Sequence, residues 1–124
     1  AAALAEALGM APFAVPEQSR VAYHAAASIA SNFLIALQES AAELLESAGI
    51  EDARELLAPL VLQTAANWAE RGPDALTGPI ARGDAATVER HRAALREQAP
   101  ELLALYDVMA ERTRALGRPK ASLG

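Results

Sequence analysis

Three polar side chains, His24, Ser28 and Asn32, fall at i, i+4 and i+8 in the stretch "YHAAASIASN", and at helical spacing they share one slowly drifting face. Ser31 lies beside them. Most of their neighbours are small or apolar. Polar groups in such surroundings are costly unless a cleft, a second helix or a ligand pairs them. His24 reads either as a satisfied core histidine or as a proton donor poised near neutral pH. His91, on an arginine-rich helix face, reads as solvated.

A second constellation is "LTGPIARGD", residues 76–84. One account is architectural: Gly78-Pro79 makes a turn, Gly83 permits an unusual backbone angle, and Asp84 caps the next helix. The other is chemical. Successive backbone amides near a glycine, with the Thr77 hydroxyl and the Arg82 guanidinium, are donors suited to a carboxylate or phosphate. The "RGD" tripeptide by itself recurs by chance. Other chemistries fail on spacing. There is no HExxH, no cysteine and no carboxylate cluster for a metal. GxSxG, GxGxxG and GxxxxGK[ST] are absent too, which argues against hydrolase, dinucleotide and nucleotide-phosphate sites in this chain.

The elements that must position these residues are helical. A chain of 124 residues with 52% hydrophobic content, 32 alanines and 4% aromatics reads as one all-α domain packed through small side chains. From Ser19 to Ala48 neither proline nor glycine occurs, which predicts one long helix. Its first half is built of small residues, and its second half carries a leucine stripe that stops at Gly49. A second helix carries Leu56, Leu57, Leu60, Val61, Thr64, Ala65 and Trp68 on one side, bent or restarted at Pro59, and ends at Gly72-Pro73. Asp84 caps a third that runs to about Glu97. Pro100 starts the last, with Leu102, Leu105, Tyr106, Met109, Thr113 and Leu116 as its buried stripe and Gly117 at its end. The expectation is a compact bundle of four to six helices around one long N-terminal helix.

Net charge is −5, and ten arginines and one lysine are spread along the chain, so no basic face tracks a nucleic-acid backbone. The opening "AAALAEALGMAPFAV" lacks a positive n-region and is too short for a membrane span. A cytoplasmic setting is expected, and the absence of cysteine suits it. That opening reads as the end of a helix carrying Leu4 and Leu8, a stop at Gly9, and a strand-like "PFAV" with no partner strand of its own. The trailing "RPKASLG" reads as frayed. A helix of thirty residues outreaches a globule of this size, so a homodimer is expected to cover its apolar side.

Together "RVAYHAAASIASNFLIALQESAAELLESAGI" and "ALTGPIARGDAATVERH" resemble the DUF2520 domain, which follows a Rossmann-like domain in a group of NAD(P)-dependent oxidoreductases. The resemblance covers roughly residues 16–118. It divides the chain into residues 1–18, the tail of an upstream Rossmann-like domain that would explain the orphan strand; residues 19–118, a helical dimerisation and substrate domain; and a disordered tail, residues 119–124. It implies a fold like the C-terminal domains of 6-phosphogluconate dehydrogenase and ketopantoate reductase. In such proteins the helical domain dimerises and closes the substrate cleft, and NAD or NADP binds the other domain. No cofactor or metal is then expected on this chain itself.

The β-hydroxyacid dehydrogenase relatives carry a lysine and an asparagine four apart on the equivalent helix. Matching Asn32 to that asparagine puts Ser28 where the lysine would stand, and a serine cannot act as a cationic acid. His24, one turn earlier, is the candidate to replace it as catalytic acid. Ser28, Ser31 and Asn32 on one side and Thr77, Gly78 and Arg82 on the other would then hold a small anionic substrate, such as a 2-keto acid. A non-catalytic helical module that binds a ligand or a second copy is the alternative. A pyrroline-5-carboxylate-reductase-like activity is a third reading.

Overall fold

The computed structural model describes residues 15–117, all-α with no strand among them. The strand-like opening, most of the proposed Rossmann tail and the trailing segment lie outside the described residues. Two units can be distinguished, residues 1–37 and residues 38–124.

The first unit opens with a single 3-10 turn, Glu17–Ser19, which leads into α1 (Arg20–Ala27). The long helix expected from Ser19 to Ala48 then departs from ideal geometry. Residues Ser28–Asn32 form a π-turn, in which the Phe33 N–H reaches back five residues to the Ser28 carbonyl. A π-turn takes up one extra residue, so the helix beyond it is rotated by roughly 100° from its place in a plain α-helix. Small side chains at Ser28, Ala30 and Ser31 offer little packing to oppose the widening. The continuation, α2 (Phe33–Ser47), begins in the first unit and ends in the second.

In the second unit α2 stops where glycine predicts. Gly49 adopts φ 90°, the Ile50 N–H bonds the Leu45 carbonyl at 2.9 Å, and the Gly49 N–H bonds the Glu46 carbonyl at 3.0 Å. This is the Schellman arrangement, which satisfies carbonyls the helix end would leave open. Helix α3 (Ala53–Arg71) runs through Pro59 without a restart and ends at Gly72, φ 60°. A 3-10 turn, Gly72–Ala75, follows. The loop at residues 76–84 contains a short helical turn, α4 (Pro79–Arg82). Asp84 caps α5 (Ala85–Gln98), and after a 3-10 turn at Pro100–Leu102 the chain returns as α6 (Leu103–Gly117).

Packing corrects the expected stripes. Among the described residues the buried ones are Ala42, Ala53, Leu95, Ala99 and Ala110, four alanines and one leucine. On α6 the innermost residue is Ala110, while Leu105, Met109 and Leu116 are exposed. On α3 only Leu57 and Val61 of the predicted side turn inward, and Leu56, Leu60 and Trp68 face outward. Close approach of helix backbones needs small residues at the contact, so the alanines go inside and the larger side chains splay to the flanks. Helix α3 consequently presents apolar side chains on several sides, Leu62 at 70% exposure among them. Among the described residues no helix is long and apolar enough to cross a membrane.

Candidate functional site

In the first unit the expected cluster sits on the π-turn. Ser28, Ser31 and Asn32 all belong to it, and His24 lies one turn earlier on α1. Ser28 is half-buried, while His24, Ser31 and Asn32 are exposed. The Ser28 N–H bonds back to the carbonyls of His24 and Ala25, so the π-turn grows directly out of the histidine's turn. Single π-turns inside α-helices are rare and concentrate at functional sites, because they re-aim side chains that regular geometry would space evenly. The same turn is lined by the exposed Ile29 and Phe33.

The loop in the second unit is less free than its composition suggests. The Arg82 N–H bonds the Gly78 carbonyl, Gly83 bonds Ile80, Asp84 bonds Pro79 and Ala85 bonds Gly83, at 2.8–3.2 Å. These bonds take up the amides of Arg82, Gly83, Asp84 and Ala85 within the turn. Gly78 at φ 95° and Gly83 at φ 75° are positions where a side chain would be strained. Asp84 accepts bonds from the Thr87 amide, 3.1 Å, and hydroxyl, 2.7 Å. Those bonds, then the charges of Arg82 and Arg90, hold its carboxyl below the ordinary range. The exposed Arg82 is the loop's remaining charged donor. The two predicted sets fall in different units: His24, Ser28, Ser31 and Asn32 in the first, Thr77, Gly78 and Arg82 in the second.

What the sequence reading missed lies between α4, α5 and α6. Arg92 grips Asp107 with two parallel bonds, Nε to Oδ1 at 2.8 Å and Nη2 to Oδ2 at 3.0 Å, and Nη1 holds Glu89 at 3.0 Å. Planar guanidinium and carboxylate match in this fork geometry. The grip raises the Arg92 pKa and lowers that of Asp107, each chiefly through the bond to the other. One residue back, the His91 Nδ1 and the Tyr106 hydroxyl lie 2.9 Å apart, so His91 is engaged as well as exposed. Burial, then the Asp107 charge, pushes the Tyr106 phenol up and keeps it protonated. Beside this ion clasp opens a cleft of about 350 Å³. Thr77, Gly78 and Arg82 do not line it, although their neighbours Ile80 and Gly83 do. The available signal was faint: Asp107, Ala110 and Arg114 at i, i+3 and i+7 share a face, as do Ala85, Val88 and Arg92.

The family model described as Domain of unknown function (DUF2520) matches residues 1–113. The chain belongs to the DUF2520 family. No curated protein and no solved structure matches it. Within this DUF2520 domain, the π-turn and the "TGPIARGD" turn both depart from plain α-helix at polar residues.

Proposed function

We propose that the chain is the helical substrate and dimerisation domain of an NAD(P)-dependent reductase of a small carboxylic acid, such as a 2-keto acid, inactive without a Rossmann-like domain. The observation that carries this reading is the π-turn, which places Ser28, Ser31 and Asn32 together one turn from His24. DUF2520 membership supports it, as the family resemblance joins such helices to dinucleotide domains. Bound to the other domain, the nicotinamide would supply the hydride. This chain's part is to hold the substrate carbonyl with the serine and asparagine side chains and to deliver a proton to its oxygen from His24. The exposed Arg82 guanidinium, with the Thr77 hydroxyl, is proposed as a contact for the substrate carboxylate.

The dimer is supported by the apolar surface left uncovered. Val21, Ile29, Phe33 and Ile35 are exposed on the first unit, and Leu56, Leu60, Leu62 and Trp68 on α3. Helices apolar on several sides are found buried, and a second copy would bury these. Sedimentation equilibrium checks it: a dimer is expected, and a monomer at high micromolar concentration would remove it.

The functional test is made on the full-length protein. Deleting Ala30 takes one residue out of the π-turn and should restore α-geometry with the fold intact. Reduction of 2-keto acids with NADPH or NADH should then fall at least tenfold, roughly the effect of losing one positioned donor. Full activity in both the Ala30 deletion and Asn32→Ala would sink the reading. So would a native product with no further domain of about 100–200 residues. Either result would favour the alternative, a non-catalytic helical module.

A further inference from the structure

The cleft beside the ion clasp is independent of the reductase reading, and its chemistry is legible. Its volume of about 350 Å³ lies within the range of small-ligand sites and corresponds to about ten water molecules. Ala110 forms the floor at 2% exposure, and Ile80, Ala85 and Val88 supply the apolar walls. Asp107, Ala110 and Arg114 lie on one face of α6, so the clasp and Arg114 stand about 10 Å apart along the helix with the apolar floor between them.

The two lining arginines differ in what they have left to give. Arg92 has Nε, Nη1 and Nη2 all committed to Asp107 and Glu89. Arg114 meets Glu111, one turn back on its own helix, through a single oxygen at 3.0 Å, with its side chain 40% exposed. Exposed pairs of this spacing hold only weakly, so an incoming anion can compete. Its Nη1 makes no hydrogen bond among the described residues. With Glu89 and Asp107 balancing Arg92 and Arg114, the lining is net neutral, which disfavours a dianion and tolerates one negative charge at the Arg114 end.

We propose that this cleft binds a small monocarboxylate with an apolar body, the carboxylate on Arg114 and the hydrocarbon along Ala110, Val88 and Ile80. The test is a titration of the isotope-labelled chain with 3-methylbutanoate, followed by the backbone amide signals. Saturable shifts are expected at Gly83, Val88 and Arg114. Arg114→Gln should weaken binding by at least about tenfold, the ordinary worth of a charge-assisted contact. Glu111→Gln, which removes the competitor, should tighten binding, and Ala85→Leu, which narrows the mouth without changing charge, should weaken it.

Three results overturn the proposal: no saturable shift, equal binding of the neutral 3-methylbutanamide, or unchanged binding in Arg114→Gln. Tighter binding of inorganic phosphate than of the monocarboxylate overturns the ligand class. None of these readouts involves a nicotinamide, so failure here is separate from failure of the reductase reading.

Discussion

The stretch Val21–Ile35 and the α5–α6 hairpin are both helical, both rich in alanine, and stabilised in opposite ways. The hairpin buries Leu95, Ala99 and Ala110, and the Arg92–Asp107 fork and the His91–Tyr106 pair join its two helices. In Val21–Ile35 the only side chain that is even half-buried is Ser28, and Val21 reaches 81% exposure. Small residues let two backbones approach in one case and lie bare in the other. An alanine-rich helix face is therefore an offer of close contact, and only a partner decides whether it becomes a core or a docking surface.

The largest test of this contrast is a pair of truncations. Leu95→Ala, at 4% exposure, should cost about 2–5 kcal/mol in urea unfolding, and Ile29→Ala less than about 0.5 kcal/mol at concentrations where the chain is monomeric. A comparable loss for Ile29 would mean that its face is already covered.

Acid sharpens the hairpin's side of the comparison. Asp107 and Asp84 are both held below their ordinary values, by the bonds from Arg92 and from Thr87 respectively. Their contribution is fully present above about pH 4, near the unfolded carboxyl value, and is lost as pH falls through the lower folded values. Asp107→Asn should flatten that decline in a pH series of unfolding midpoints, with the midpoint at neutral pH lowered.

A smaller effect is expected at the cap. Asp84→Ala should lower the midpoint, while Asp84→Asn should keep most of it, because asparagine also accepts from the N3 amide. The smallest belongs to the surface pair Arg96–Glu89 at 3.5 Å, where Arg96→Gln should change stability by less than about 0.5 kcal/mol. A larger change would show the exposed charges acting as one network with the clasp.

Helix identity, stops and caps were legible from the chain because they are local. Gly49 and Gly72 supply positive φ, Asp84 supplies the cap, and Pro100 sits where its missing N–H costs nothing. The polar cluster at Ser28, Ser31 and Asn32 was also legible as a cluster, though not as a π-turn, since nothing in the residue types distinguishes an i+4 from an i+5 hydrogen bond there. The "TGPIARGD" turn was legible only in part. Its glycines were visible, but the fate of its amides depended on the turn that Pro79–Arg82 adopts.

What the sequence by itself determined is the all-α class, the helix ends and the family, because propensity, capping and turn chemistry act within a few residues. Tertiary structure decided which face of each helix is inside and which charges meet. Ala110 in place of Met109, the Arg92–Asp107 fork across fifteen residues and the cleft beside Arg114 all depend on how closely two helices approach. That distance is set by the packing of both surfaces at once, which no single segment encodes.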